Sequence, residues 1–344
     1  MANTATIPLR IVLVALLGLG LAGCKAPAIV IGLAPSLQEL QESTVEADGR
    51  TSNKIALIDV SGVLFNADRP GLLTPGPNPV AQLHEQLNRA ADDDRVKAIV
   101  LRVNSPGGGV TASDLMYRQV QRFKQTTDKP VVVCLMDVAA SGGYYLACSG
   151  DHLVAHPSTV TGSIGVIAQL VSLKPALDRL GITATTLTSG PNKAAGSPLD
   201  TLTEDQQAVL QTLVDTFYDD FKTIVREARP NVAEADWDKV TDGRVVTGRD
   251  ALKLGLVDAL GDLYTAWDTA KSLANIDRAK LVRYHSALRR VTSPYAAAPQ
   301  ANASQTTQIN LAQFNLNAGL DANFPVGFYY LWSPATQLPT RLPQ

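Results

Sequence analysis

Apolar and polar residues alternate in blocks along the middle of the chain, and these blocks predict strands that take turns with helices. Short apolar runs suited to buried strands occupy residues 55–60, 96–103 and 131–135. Residues 112–125, between the second and third runs, have the apolar spacing of a helix. Two strands joined through a helix form a βαβ unit, and this long crossover implies parallel strand pairing.

Local signals mark where two further helices begin. Asn78 followed by Pro79 predicts an N-cap with proline in the first helical turn. Thr203 and Gln206 form a capping-box pattern at the start of a long helix. Its apolar residues fall on one stripe: Leu210, Leu213, Val214, Phe217, Phe221, Ile224 and Val225. The pattern therefore predicts one α/β domain over residues 54–285.

The N-terminal segment has the order of a bacterial export signal. Arg10 precedes the uncharged apolar run 11–21, and small residues then lead to Cys24. The end of this segment is similar to a lipobox, in which the cysteine is acylated and becomes the mature N-terminus. We therefore predict a signal peptide with lipobox over residues 1–24 and a linker over residues 25–53.

An uncleaved transmembrane helix over residues 11–33, with Lys25 inside it, is the alternative for this segment. Both interpretations put the rest of the chain on the extracytoplasmic side of a bacterial cell membrane, tethered through its N-terminus. At the other end, residues 286–344 are predicted to be a loose tail of low complexity. Its apolar stretch 324–334, with two tyrosines and a tryptophan, is expected to dock on another surface.

Charge and cysteine content exclude several classes of protein. The 344 residues carry 30 Lys and Arg against 32 Asp and Glu, a net charge of −2, which lacks the basic face of a nucleic-acid binder. Cys24, Cys134 and Cys148 cannot build a disulfide framework or a CxxC zinc site. We predict no metal, no cofactor and no nucleic-acid partner.

A glycine-rich segment follows the second predicted strand. Residues 104–109 read Asn-Ser-Pro-Gly-Gly-Gly and stand directly before a helix. Glycines there let the backbone approach a ligand closely and turn its N–H groups towards it. A flexible turn is the simpler interpretation, and the absence of a Gly-Lys-Ser/Thr ending makes a nucleotide site weak.

A second small-residue segment surrounds Ser141, again between a strand and a helix. A serine at this junction lies beside unpaired helix N–H groups and has room for a substrate carbonyl. That geometry suits an acyl-transfer nucleophile whose oxyanion is held by the next backbone N–H. The commoner use of a serine in this place is as a helix N-cap, and Ser141 alone leaves both interpretations open.

Together these segments resemble the signal peptide peptidase A family of bacterial serine peptidases. The resemblance spans residues 55–262 and rests on five segments in order: residues 105–108, 140–144, 155–165, the loop around Lys193, and 242–249 running into 255–258. It implies a Clp-protease/crotonase-like α/β fold with repeated βαβ units and a parallel sheet. It also implies a homo-oligomer, as sites in this fold are often built across subunit contacts.

A serine hydroxyl needs a base, and the histidines are poorly placed to supply one. The chain has His84, His152, His156 and His285, and none lies in residues 162–167, where the related Clp-type triad would need one. The resemblance instead implies a Ser-Lys dyad of Ser141 and Lys193. A lysine can act as a general base only if burial lowers its pKa from about 10.4 towards neutrality.

The resemblance assigns supporting roles to three further residues. Gly108 and Gly142 are predicted to donate the oxyanion hydrogen bonds, and Ser163 to hydrogen-bond the amine of Lys193. Ala, Gly, Pro, Ser and Asn surround that lysine and no carboxylate follows it until Asp200, which suits a base that must become neutral.

The implied activity is that of a membrane-tethered serine endopeptidase that cleaves apolar peptides such as released signal peptides. Two alternatives remain at this stage. A crotonase-like acyl-thioester enzyme would use the same fold, although neither glycine segment carries the glutamate such chemistry needs. A non-catalytic membrane scaffold of the same fold would not need both Ser141 and Lys193.

Overall fold

The computed structural model of the chain describes residues 40–68, 76–285, 291–296 and 327–332. Twelve strands lie in these residues: β1 (Gln41–Ala47), β2 (Lys54–Ser61), β3 (Val96–Ser105), β4 (Gly107–Gly109), β5 (Val131–Ala140), β6 (His152–Ala155), β7 (Val160–Gly162), β8 (Ile167–Gln169), β9 (Val245–Thr247), β10 (Ala259–Leu260), β11 (Lys280–His285) and β12 (Gly327–Leu331). The same residues form eight helices: α1 (Pro79–Ala91), α2 (Val110–Thr127), α3 (Gly142–Ala147), α4 (Lys174–Arg179), α5 (Glu204–Ala228), α6 (Glu234–Thr241), α7 (Gly248–Lys253) and α8 (Leu263–Leu273).

Nine of the strands form one sheet in the order β1–β11–β2–β3–β5–β6–β10, with β7 beside β5 and β9 beside β7. Strands β11, β2, β3, β5, β6 and β10 run parallel to their neighbours, and β1 closes one edge antiparallel to β11. The predicted α/β class with parallel βαβ units is confirmed.

Both faces of this sheet are covered, which explains why its strands are almost continuously apolar. Successive side chains of a strand point to opposite faces. Ile55 and Leu57 of β2 therefore join a cluster with Trp267 of α8, whereas Ala56 and Ile58 join the larger cluster on the other face.

The predicted helix starts are confirmed by their capping contacts. The Asn78 side chain accepts hydrogen bonds from the backbone N–H groups of Val80 and Ala81 at the start of α1. Thr203 and Gln206 exchange the two bonds of a capping box at the start of α5.

Only the second half of the apolar stripe on α5 reaches the core. Phe221 and Val225 are buried, whereas Leu213 is 39% exposed. Periodicity identified this helix correctly but could not tell which surface its first half faces.

The two ends of the domain differ from the sequence prediction. Residues 41–47, predicted to belong to a linker, form edge strand β1, because the backbone of β11 supplies partners for a polar segment whose one buried residue is Val45. Residues 327–331, predicted to lie in a loose tail, form β12 at the centre of a second sheet of order β4–β12–β8. The docking expected of this apolar stretch is thus confirmed.

A partly buried ion pair ties α5 to the segment before β10. Arg229 donates two hydrogen bonds to Asp258, at 2.9 and 2.8 Å, and Asp258 also accepts from the Leu153 N–H. Burial alone raises the pKa of the Asp258 carboxyl, but the bonds from Arg229 and Leu153 outweigh it and lower that pKa below its usual value. Asp258 therefore has a structural role.

Asp258→Asn is expected to lower the free energy of unfolding by about 2–3 kcal/mol at neutral pH, because the Arg229 charge loses its partner. A carboxyl whose pKa is lowered in the folded state stabilises the fold at pH values above its unfolded pKa. This stabilisation is lost as the pH falls through the folded pKa. The difference between wild type and variant should therefore shrink below about pH 4. Urea unfolding at pH 7 and pH 3 measures this difference in the free energy of unfolding. Asp178→Asn, which changes an exposed carboxylate, is the control.

Candidate active site

Ser141 lies at the turn between β5 and α3 in a backbone conformation that side chains rarely adopt, with φ 53° and ψ −117°. Its side chain makes no capping hydrogen bond to α3, although it stands at the N-cap position. The backbone is instead fixed from both directions: the Ser141 N–H donates to the Gly162 carbonyl and its carbonyl accepts from the Tyr145 N–H, both at 2.8 Å. A strained strand-to-helix turn is typical of nucleophilic serines.

The glycine strand β4 lies directly against this turn. A Cβ atom added to Gly142 would stand 3.2 Å from the Gly107 Cα, and one added to Gly107 would stand 2.6 Å from the Gly142 nitrogen. A Cβ at Gly108 would collide with the Leu64 backbone. The two small-residue segments of the sequence therefore meet, and glycine is required because the backbones are nearly in contact.

Gly107, the neighbour of Gly108 in β4, is the glycine of that strand that lies against Gly142, the residue after Ser141. The carbonyl oxygen of Tyr330 lies close to both Gly107 and Gly142, since a Cβ on Gly142 would be 3.0 Å from it and a Cβ on Gly107 would overlap it. The backbone around Gly107 and Gly142 is therefore in contact with a carbonyl oxygen. The role of Gly108 and Gly142 as oxyanion donors remains a prediction.

Ser163 directly follows β7, the strand that pairs in parallel with β5, just as Ser141 directly follows β5. Ala140 pairs with Gly162, so the two serines follow equivalent positions of β5 and β7. Ser163 is also buried, has φ 51°, and donates its N–H to the Arg244 carbonyl at 2.7 Å. A second serine thus stands in register with Ser141, and its hydrogen bond to the Lys193 amine remains a prediction.

Lys193 lies in a series of turns between α4 and α5, and its side chain is exposed. Its backbone N–H donates to the Gly190 carbonyl at 3.2 Å. Within the described residues no carboxylate pairs with its ammonium and no hydrogen bond joins it to Ser141. The described residues of a single chain therefore do not provide the burial expected of a general base.

The histidines are engaged elsewhere. His84 contacts Asn88 on α1, His156 contacts Ser158 and His285 contacts Ser43. His152 begins β6 opposite Val132, near the start of β5, so it lies far along the sheet from Ser141. Within the described residues, no hydrogen bond joins any of these four side chains to Ser141.

The two described cysteines are poor nucleophiles. Cys134 and Cys148 are buried, and this burial raises the pKa of each thiol to about 12. Neither forms a thiolate near neutral pH. In the part of the chain that the structure describes, no cluster of three or more His, Cys, Asp or Glu could hold a metal ion.

Comparison with known proteins agrees with this geometry. The profile of peptidase family S49 matches residues 123–277, and that of Clp protease matches residues 64–161. A protein of Enterococcus faecium named signal peptide peptidase SppA is 32% identical over 246 residues, which cover 72% of this chain and 71% of that protein. The chain belongs to peptidase family S49. It is therefore a serine peptidase with a Clp-protease-like fold.

Other S49 relatives are much longer than this peptidase. Protease 4 of Salmonella typhi is 36% identical over 234 residues, which cover 68% of this chain and 37% of that protein. The chloroplastic serine protease SPPA of Arabidopsis thaliana is 34% identical over 232 residues, covering 67% of this chain and 34% of that protein. This S49 peptidase thus spans about a third of these two relatives.

Sequence reasoning missed an aromatic cluster beside the site. Tyr145, four residues after Ser141, packs against Phe221 of α5 and Tyr330 of β12, with ring centroids 5.1 and 5.2 Å away. The only signals were the Tyr144-Tyr145 pair and the aromatic end of the tail. Nothing in the sequence indicated that they would meet.

Proposed function

We propose that this S49 peptidase is a membrane-tethered serine endopeptidase that cleaves apolar peptides, such as released signal peptides, through a Ser141–Lys193 dyad. The observation that carries the proposal is the strained, uncapped Ser141 turn in contact with glycine strand β4. The backbone of Ser141 is strained, and no capping hydrogen bond from its side chain offsets that strain. Use as a nucleophile accounts for both features.

The reaction follows from these groups. Ser141 Oγ attacks the peptide carbonyl carbon while Lys193 Nζ, in its neutral form, takes the hydroxyl proton. The N–H groups of Gly108 and Gly142 hold the oxyanion. The C–N bond then breaks, the lysine proton passes to the leaving amine, and an ester remains on Ser141. Water, deprotonated by the same lysine, hydrolyses the ester and frees the serine.

A second copy of the chain is proposed to bury Lys193. The loop that carries Lys193 has apolar side chains before and after it that are exposed in a single chain. They are Ile167, Leu170, Leu173, Leu180, Ile182, Leu187, Leu199, Leu202, Val209 and Leu213. An exposed apolar surface of this length is typical of an interface between subunits. In a homo-oligomer the neighbour would desolvate the lysine, and Lys193 of one copy would serve Ser141 of another.

The substrate class is proposed from the surroundings of the site. A substrate bound as an extended strand would lie along β4 and meet the apolar and aromatic residues of α2, α3 and α5. Hydrolysis of an uncharged, leucine-rich peptide should therefore exceed that of the same peptide with alternate leucines replaced by aspartate. Equal rates on both peptides would refute the preference for apolar substrates.

The tether is proposed from residues 1–39, which lie outside the described residues. Among the residues that are described, no helix is both long and apolar enough to cross a bilayer. The lipobox-like ending at Cys24 supports a lipid anchor on the extracytoplasmic side of a bacterial membrane, and the apolar run 11–33 supports an uncleaved helix as the alternative.

Cys24→Ser separates the two kinds of tether. With a lipid anchor, the variant should accumulate as a precursor of about the full 36.5 kDa and should stop incorporating labelled palmitate, because acylation precedes cleavage. Gel mobility and palmitate labelling in cells measure both effects, with Cys148→Ser as the matched control. Unchanged size and labelling in Cys24→Ser would indicate an uncleaved helix.

A further inference from the structure

Ser113, the fourth residue of α2, is a buried serine whose side chain faces the start of α3. Its Oγ donates a hydrogen bond to the Gly109 carbonyl at 3.1 Å, so the hydroxyl is attached to the last residue of glycine strand β4. A Cβ atom added to Gly142 would stand only 2.3 Å from the same oxygen. One hydroxyl thus lies between the two glycine segments of the active site.

The space that Ser113 Oγ occupies explains why residue 142 is a glycine. Gly142 is helical and has no positive φ, so its backbone conformation does not by itself require a glycine. The next atoms that a Cβ would meet are the Tyr330 carbonyl oxygen at 3.0 Å and the Gly107 Cα at 3.2 Å, which are tight distances without overlap. Of these three neighbours, only the Ser113 hydroxyl would have to move.

The next residue of α3 is confined from another direction. A Cβ atom added to Gly143 would stand 2.6 Å from the carbonyl oxygen of Ser105, the last residue of β3. Ser141 makes no capping hydrogen bond that would fix this helix end. The first turn of α3 is therefore positioned by its contacts with β3 on one side and with Ser113 on the other.

Strand β4 is fixed from the side of Leu64. The Leu64 N–H donates to the Gly107 carbonyl at 2.9 Å, and the Gly109 N–H donates to the Leu64 carbonyl at 2.8 Å. In this parallel pattern the N–H of the residue between them, Gly108, points to the opposite side of the strand. The bond from Ser113 to the Gly109 carbonyl therefore holds the residue next to a predicted oxyanion donor.

Helix stability alone does not explain a serine at position 113. Alanine is the better helix former. A serine that bonds to the carbonyl four residues earlier slightly destabilises a helix. Burial of the Ser113 hydroxyl also removes it from water, a cost that its one hydrogen bond only offsets. A role in placing Gly142 against β4 accounts for the serine.

We propose that Ser113 is a positioning residue of this peptidase, whose hydroxyl sets the distance between β4 and the start of α3. This inference rests on the proposed function, because it takes Gly108 and Gly142 as the donors that hold the oxyanion. Without the hydroxyl, Gly142 can move into the space left between α2 and α3, and the two N–H groups no longer converge on one oxygen.

The steady-state kinetics of Ser113→Ala in the full chain test this role on the uncharged, leucine-rich peptide. We expect kcat to fall by about tenfold or more and KM to stay within about twofold, because the donors act on the oxyanion of the transition state. Thr269→Ala, which removes an equivalent bond to the Thr265 carbonyl on α8, should leave both constants unchanged. A folded Ser113→Ala enzyme with the wild-type kcat would overturn the inference.

The thermal unfolding of Gly142→Ala, with and without Ser113→Ala, tests the contact itself. In the wild-type background Gly142→Ala should lower the unfolding midpoint by about 5 °C, and with Ser113→Ala already present by less than about 2 °C, because the overlapping oxygen is gone. Equal losses in both backgrounds would overturn the inference. Unfolding needs no catalysis, so this failure is distinct from failure of the proposed function, which an inactive wild-type enzyme would reveal.

Discussion

Ser141→Ala is expected to reduce hydrolysis of an apolar peptide by about 10⁴-fold or more, because the acyl-enzyme can no longer form. The fold should survive. Within the described residues Ser141 Oγ makes no hydrogen bond, and alanine meets the same backbone strain at φ 53° that serine already bears. Initial rates and thermal unfolding on the same preparation measure the two effects.

Ser158→Ala is the matched control for this variant. Ser158 bonds to His156 in an exposed turn after β6 and should retain the wild-type rate. A Ser141→Ala enzyme that kept more than about a tenth of the activity while unfolding normally would place the nucleophile elsewhere.

Lys193→Ala is expected to reduce the rate of peptide hydrolysis nearly as much as Ser141→Ala does. The double variant should be little slower than either single variant, because the two groups act as one unit. Lys193→Arg should not restore activity, since a guanidinium does not release its proton in this range. Lys174→Ala, which removes an exposed lysine paired with Asp178, should leave the rate unchanged.

Mixing inactive chains tests where the lysine comes from. Unfolded and refolded together, Ser141→Ala and Lys193→Ala chains should recover part of the wild-type rate if the dyad is shared between copies. No recovery would place both residues of the dyad within one chain. A Lys193→Ala enzyme with a near wild-type rate of hydrolysis would rule out the Ser-Lys mechanism.

The sequence predicted the features of this fold that depend on local chemistry. Continuous apolar runs predicted strands buried on both faces, and Asn78 and Thr203 marked helix starts through their own side chains. The three glycines after β3 pointed to a close backbone approach, although a flexible turn was the simpler interpretation of that segment.

Features that depend on contacts with a distant segment of the chain could not be predicted from the sequence. Strand β1 is polar and becomes a strand only through the backbone of β11, which follows it by more than two hundred residues. β12 docks between β4 and β8 because Tyr330 meets Phe221 and Tyr145, which three separate elements bring together. The exposure of Lys193 likewise depends on what surrounds its loop rather than on its neighbours in sequence.

Labelling with a fluorophosphonate, followed by peptide mass spectrometry, tests the nucleophile most directly. The reagent bonds to a serine oxygen only where a base and an oxyanion site activate it. We expect one adduct, on Ser141, with loss of peptidase activity in proportion to labelling and no adduct in Ser141→Ala. An adduct on another residue, or full activity after complete labelling of Ser141, would contradict the proposed mechanism.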